Sequence, residues 1–271
     1  MKNFIQLTIN CDSIEAVEIL IANLSELDFY AFEQVENTLL AFIKEEDFDE
    51  EKLKTNLPKS ASYTYSIIAE KNWNQQWESD FKPINVNNFA GIRASFHELI
   101  AGVKYDVIIT PKMSFGTGHH ATTFLMIVLM EKIAFKDKTV LDFGTGTGVL
   151  AILSEKMGAA SVLAIDCDEW SINNALENIE TNQCKNIIVD KRDNILGISR
   201  VDIILANINL NVLQENAKEL SALVKEGSFL IISGFLLKDE SAIISTFVNN
   251  GFVKKEVVEK EGWLALLLKK L

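Results

Sequence analysis

The sequence predicts an α/β fold: a mostly parallel sheet covered by helices on both faces, finished by an antiparallel last strand, with a small α+β domain in front. Three observations carry this expectation. From residue 121 onward, short apolar runs alternate with amphipathic segments, the pattern of strands joined by helical crossovers. The last two strand-like runs, 252–258 and 263–269, are joined around Glu261-Gly262. That connector is too short for a parallel crossover, so the two pair antiparallel. The front part, 1–68, follows a different order, one that a domain of that size can complete by itself.

In that front part, residues 2–10 form a strand-like run. Residues 13–24 have helical spacing, with Ile14, Val17, Leu20, Ile21 and Leu24 on one side and Asp12 or Ser13 as N-cap. Two strand-like runs follow, 28–35 and 37–44, with Glu36-Asn37 as the turn. The acidic run 45–51 opens a short helix that ends before Pro58, and 61–69 is a further strand. The order β-α-β-β-α-β is a ferredoxin-like split pattern, so residues 1–68 are expected as one small domain. Residues 70–82 put Trp73, Trp77 and Phe81 at i, i+4 and i+8, on one helical face. A linker helix over 69–82, ended by Pro83, then leads to a second domain, 83–271.

That domain opens with strands 91–96 and 104–110 and a glycine-containing loop at 111–120. Helix 121–134 leads to strand 138–143, helix 148–157 to strand 161–165, and helix 169–182 to strand 186–190. Strand 201–206 leads to helix 210–224, then strand 228–233 and helix 238–249, before the final pair.

Composition limits what such a chain does. With 271 residues, 48% apolar and 24% charged, it can bury a core without disulfides or a structural metal. The net charge of -12 argues against a protein held on DNA by its phosphates, because such footprints are basic. Residues 1–60 hold 5 Lys against 13 acids, a net of -8, and favour a basic partner. The three cysteines, Cys11, Cys167 and Cys184, show no CxxC spacing and read as reduced thiols of a cytoplasmic protein. The N-terminus lacks a signal-peptide core, and no run of about 18 apolar residues offers a membrane span.

The chemistry centres on Asp142-Phe143-Gly144-Thr145-Gly146-Thr147-Gly148, directly after a strand and opening a helix. Glycines there allow a sharp turn and close approach to a ligand, which meets the free N–H groups of the helix start. The next strand leads to Asp166, where a carboxylate can accept both hydroxyls of a ribose. A dinucleotide fingerprint would be GxGxxG. Here the spacing is GxGxG, with Val149 at the last position, which disfavours a dinucleotide oxidoreductase. The motif is similar to motif I of class I S-adenosylmethionine-dependent methyltransferases, whose Rossmann-like sheet also ends in an antiparallel strand.

On the acceptor side, strand 201–206 runs into Asn207-Ile208-Asn209-Leu210. Asn207 is either a group that orients an amine or a strand-end turn residue. The Asn/Asp-Pro-Pro-aromatic motif of DNA and protein-glutamine methyltransferases is absent, which lowers the case for flipped adenine or a glutamine amide. Upstream, Thr122 or Thr123 is a candidate N-cap of the helix that follows. His119 and His120 are adjacent and lack metal-ligand spacing, so no metal site is expected. One can serve as a general base or both as structural histidines.

These residues resemble the bacterial ribosomal protein L11 methyltransferase family. The likeness is carried by Trp77 with Phe81-Lys82-Pro83-Ile84, by Phe115-Gly116-Thr117-Gly118-x-His120-x-Thr122-Thr123, and by the glycine motif itself. Gly158-Ala159-Ala160, Ile165-Asp166-x-Asp168, Ala206-Asn207-Ile208 and Glu261-Gly262-Trp263 add to it. It is strong from about residue 70 onward and covers the stretch 1–68 in layout alone. The resemblance implies S-adenosylmethionine as methyl donor and lysine or α-amine methylation, up to trimethylation, of ribosomal protein L11, free or on the ribosome. It makes residues 1–68 the substrate-recognition part; the chain is expected as a monomer, and its charge and hydropathy point away from DNA and membrane. It implies cofactor contacts at Thr123, Gly144, Asp166 and Asn207, with Phe115, Gly116, Thr117, Gly118 and Gly146 as neighbours, and an orienting role for Asn207. Asn209 departs from the family's usual small or hydrophobic residue and leaves room for an altered acceptor pocket. The competing readings are a class I methyltransferase of RNA or of a small-molecule amine, and a non-catalytic module with a degenerate cofactor site.

Overall fold

The computed structural model describes residues 3–10, 14–25, 27–35, 38–57, 62–69, 81–110, 116 and 118–271. They belong to two compact units, Met1–Asp80 and Phe81–Leu271. The linker helix expected over 69–82 falls almost wholly outside the described residues, as do its Trp73 and Trp77. Phe81 and Lys82 carry no regular secondary structure. The Asp12 or Ser13 cap and the Glu36-Asn37 turn also lie outside. No described helix is long and apolar enough to cross a membrane.

The first unit runs β1 (Asn3–Asn10), α1 (Ile14–Ser25), β2 (Ala31–Val35), β3 (Thr38–Lys44), α2 (Glu50–Asn56) and β4 (Tyr63–Ala69). Its sheet order is β2-β3-β1-β4 with every neighbour antiparallel. Strand alternation puts Ile5, Leu7 and Ile9 opposite Ile43, Ala41 and Leu39 on one face. That face is buried together with Val17, Leu20 and Leu24 of α1 and Leu53 of α2. The acidic run does not open one helix. Glu45–Asp47 makes a single 3-10 turn, and Asp49 then caps α2 by accepting from the Glu51 and Lys52 N–H groups at 3.0 and 3.1 Å.

The second unit opens with a three-stranded sheet: β5 (Ile84–Val86), β6 (Ala90–Arg93) and β7 (Tyr105–Ile108). Its hairpin turns on Asn87 and Asn88, at φ 54° and 57°, the left-handed pair that a two-residue turn demands. The Arg93 guanidinium grips both Asp106 carboxylate oxygens, at 2.9 and 3.0 Å.

The main sheet contains seven strands: β8 (Thr139–Phe143), β9 (Ser161–Asp166), β10 (Ile187–Lys191), β11 (Val201–Asn207), β12 (Val224–Leu236), β13 (Phe252–Lys260) and β14 (Trp263–Lys270). The order is β10-β9-β8-β11-β12-β14-β13. The five neighbours from β10 to β12 are parallel, and β14 lies antiparallel to both β12 and β13. Helices α3 (Ala121–Met130), α4 (Val149–Lys156) and α5 (Glu169–Thr181) come before β11. After it come α6 (Leu210–Glu215), α7 (Ala217–Leu223) and α8 (Glu240–Asn249). The two faces carry separate apolar cores. This explains why β11 and β14 are apolar almost without alternation: every residue from 203 to 207 and from 264 to 268 is buried. Glu261 and Gly262, at φ 55° and 79°, make the tight turn of the final hairpin.

The helix expected over 210–224 is two. It breaks at Asn216, whose side-chain amide bonds back to the Val212 carbonyl at 2.9 Å, a local bond that competes with helix continuation. Helix 121–134 stops at Met130.

Candidate active site

Strand order reverses between β8 and β11: the chain proceeds outward through β9 and β10 on one side and through β12 on the other. At such a switch point the loops leaving the carboxyl ends diverge and a crevice opens. Here it is a cleft of about 520 Å³ whose lining includes Phe143, Gly144, Gly146, Asp166 and Asn207.

The glycine loop fits this place for steric reasons. Gly144 sits at φ 76°, and a Cβ there would collide with Ile208 Cγ2. The Gly144 and Thr145 N–H groups both donate to the Ile165 carbonyl at 2.9 Å, which welds the loop to the end of β9. The Gly146 N–H donates to Asp166 Oδ2 at 2.9 Å, and the Asp168 N–H donates to Asp166 Oδ1 at 3.0 Å. Each carboxylate oxygen can still accept a further bond, so Asp166 is fixed in orientation and remains able to take two hydroxyls.

Beneath the loop lies Asp142, 1% exposed. The Thr145 hydroxyl donates to its Oδ2 at 2.6 Å, and its Oδ1 has no partner. Burial pushes its pKa up to about 7; the Thr145 hydroxyl and the Ala151 backbone oppose that shift and the charge of Asp166 adds to it.

Asn207 ends β11. Its Nδ2 donates to the Thr123 hydroxyl at 3.3 Å, and its buried Oδ1 has no partner. Thr123 is fully buried and is not among the residues that line the cleft. The neighbouring backbone leaves no slack. Gly234 sits at a β-bulge in β12 at φ 103°, and a Cβ on it would collide with the Ile208 carbonyl oxygen. Asn209 lines the cleft and caps α6, accepting from the Val212 N–H at 3.0 Å. Its polarity therefore has a local structural use.

The N-cap of α3 is neither Thr122 nor Thr123 but His120, whose Nδ1 accepts from the Thr122 N–H at 3.3 Å. The ring also stands edge-on to Trp263, centroids 4.8 Å apart, and both line the cleft. His119 instead packs against Phe81, 4.5 Å away, outside the lining. Among the described residues no three His, Cys, Asp or Glu side chains gather as a metal would need.

Of the residues singled out from the sequence, Gly144, Gly146, Asp166 and Asn207 meet in the cleft. Gly116 and Gly118 do not line it. The Gly116 carbonyl accepts the Thr147 hydroxyl at 2.7 Å, and Gly118 is pressed against Ile92 and Ile84. Phe115 and Thr117 lie outside the described residues. The structure adds Trp263, Arg192 and Asp193 to the lining. Trp263 was legible in principle, because the first residue of an antiparallel strand falls at the end where its parallel neighbours finish; it lies opposite Leu236. The assembled parts suit a nucleoside-bearing group: a fixed carboxylate for a diol, a glycine floor that admits close approach, and the Asn207 amide in the same lining.

The sequence model of the ribosomal protein L11 methyltransferase (PrmA) family matches residues 6–271. The ribosomal protein L11 methyltransferase of Bacteroides thetaiotaomicron is 38% identical over 258 residues, 92% of each chain. That of Porphyromonas gingivalis is 36% identical over 260 residues, 93% of this chain and 90% of its own. Among solved structures, the ribosomal protein L11 methylase of Lactobacillus delbrueckii subsp. bulgaricus superposes with a TM-score of 0.65 at 28% identity. That match covers 70% of this chain and 99% of the other.

Proposed function

The chain belongs to the ribosomal protein L11 methyltransferase family, and from that premise we propose that the groups it methylates are lysine side chains and the α-amine of ribosomal protein L11, up to the trimethyl state. The enzyme is an S-adenosylmethionine-dependent methyltransferase of that protein. S-adenosylmethionine supplies an electrophilic methyl group on a sulfonium.

What this chain's residues do is bind, orient and desolvate. Asp166 takes the ribose hydroxyls, with its carboxylate already held by Gly146 and Asp168. Gly144 and Gly146 allow the backbone to lie against the ligand, and Thr123 supports the contact through its bond to Asn207. The observation that carries the acceptor assignment is the Asn207 amide. Its nitrogen bonds Thr123 and its oxygen is buried without a partner, so the oxygen is the end that a small turn of this cleft-lining side chain would bring to an amine N–H.

The amine attacks only when neutral. An α-amine, with a pKa of about 7.7–8.0, is nearly there at neutral pH, whereas a lysine at about 10.4 must lose its proton. A pocket that excludes water disfavours the ammonium, and a neighbouring cation acts the same way. No strong base is then needed, and positioning supplies much of the rate. Residues 1–68 recognise the protein substrate. Their acidic balance suits a basic ribosomal protein by raising encounter rate and selectivity. We take the enzyme to act as a cytoplasmic monomer.

The test is methyl transfer from labelled S-adenosylmethionine to purified large-subunit ribosomal proteins, followed by mass mapping. Label on protein L11 at lysines or the amino terminus is expected. No label there, with cofactor binding intact, would move the acceptor to another molecule such as RNA or a small amine.

A further inference from the structure

Helix α5 carries asparagines at 174 and 178, and another follows at 182, one turn apart on a single face. Two of them clamp the end of β7 in different ways. Asn182 makes a closed pair with one residue: its Oδ1 accepts from the Ile108 N–H at 3.0 Å and its Nδ2 donates to the Ile108 carbonyl at 2.6 Å. Asn178 bridges two separate segments. Its Oδ1 accepts from the Thr110 N–H at 2.8 Å, and its Nδ2 donates to the Thr147 carbonyl at 2.8 Å. Asn178 is fully buried, so neither bond has water as a ready substitute.

Thr147 stands between Gly146 and Gly148, at φ 55° and 80°. Such a stretch has little steric resistance to rotating its peptide planes. Gly148, the N-cap of α4, has no side chain to cap that helix. Within the loop, the Gly148 N–H donates to the Thr145 carbonyl at 2.9 Å; the other bonds that hold it come from outside. Asp166 holds the Gly146 N–H, Gly116 holds the Thr147 hydroxyl, and Asn178 holds the Thr147 carbonyl. Fixing that carbonyl fixes the tilt of the peptide that joins Thr147 to Gly148, and with it the path of the chain from Gly146, which lines the cleft.

We propose that Asn178 is a positioning residue for the methyl-donor site: its amide locks the Thr147 carbonyl to the segment leaving β7 and so sets the glycine loop in its ligand-accepting conformation. The proposal rests on reading the cleft as the S-adenosylmethionine site. Asn182, at the end of the same helix, provides a control: it is tied to Ile108 of β7 by two bonds and makes no bond to the loop, though it is less buried than Asn178.

The experiment compares two isosteric variants, Asn178→Asp and Asn182→Asp, in the full chain. In each, the carboxylate keeps the N–H it accepts and loses the donor. S-adenosylmethionine affinity is measured by calorimetry and the unfolding midpoint separately. N178D is expected to weaken binding on the order of tenfold or more, while N182D stays within about twofold at a comparable loss of thermal stability. Equal affinities in the two variants would overturn the proposal. Absence of binding by the unaltered protein would overturn the site reading instead. Should N178D not fold, amide hydrogen exchange in the unaltered protein decides. Adding S-adenosylmethionine should slow exchange at Thr110, whose N–H is held by Asn178, more than at Ile108, whose N–H is held by Asn182. Equal slowing would count against it.

Discussion

The Asn207 amide nitrogen reaches the Thr123 hydroxyl at 3.3 Å across 84 residues of sequence, joining the end of β11 to the first turn of α3. The bond restrains the side chain of a residue that lines the cleft. Asn207→Ala is expected to lower kcat on the order of 100-fold, the scale for a misplaced reacting group. Thr123→Val, which keeps the shape and removes the bond, should give a smaller loss in the same direction. Single-turnover kinetics separates both from cofactor binding. Wild-type kcat in N207A would remove Asn207 from the mechanism.

Asp166→Ala removes a charged acceptor and leaves the Gly146 N–H without a partner. S-adenosylmethionine should bind more weakly by about 1–3 kcal/mol, read by titration calorimetry. Unchanged affinity would sink the ribose assignment.

Asp142 makes stability depend on pH in an unusual sense. Its carboxyl titrates at about 7 in the folded chain against an ordinary value of 3.8. Between about pH 4 and 7 the folded protein keeps a proton that the unfolded chain has lost, so each rise in pH through that window costs stability. Asp142→Asn has no such proton. The melting temperature of D142N relative to the parent should climb from about pH 4 to 7 and level off above. A difference that stays flat across the window would refute this.

Gly234→Ala places a methyl group on the Ile208 carbonyl. Overpacking of this kind costs about 1–3 kcal/mol. Because Ile208 follows Asn207, the variant should lose kcat as well as melting temperature. A variant with lowered melting temperature and full kcat would show that the acceptor side tolerates movement of β11.

Among the described residues, both apolar cores of the Phe81–Leu271 unit are built from that unit's own side chains. Deleting residues 1–68 should therefore leave cofactor binding intact and abolish methylation of protein L11. Full turnover by the truncated protein would show that recognition lies elsewhere.

The sheet is readable because its strands are extreme. Runs such as Ile203–Ala206 and Leu264–Leu268 are apolar throughout because helices or loops cover both faces, and the Glu261-Gly262 turn admits one pairing only. The glycine loop and Asp166 declare themselves by spacing, since a β-α-β unit fixes where the next strand must end. What escapes depends on contacts remote in sequence. β5 is too short for alternation to register. His120 outcompetes two threonines as a cap because its ring nitrogen reaches the Thr122 N–H while the ring edge meets Trp263, a partner from the last strand of the chain. Asn216 interrupts an otherwise regular helical pattern through its own side chain, and pattern counting assigns such a residue no direction. The resemblance makes Thr123 a ligand contact; in the fold it is fully buried and bonded to Asn207, a pairing that no spacing in the sequence announces.

The placement of β14 has a bearing on how the protein is made. It is threaded between β12 and β13, so a nascent chain that has emerged only as far as β13 cannot assemble the sheet in its final order. The apolar edge of β12 stays open until residues 263–270 arrive, and such an edge invites pairing with other chains. The enzyme is thus committed to late closure. Its cleft gains Trp263 in the same event that seals the sheet, so catalytic competence and protection from aggregation arrive together.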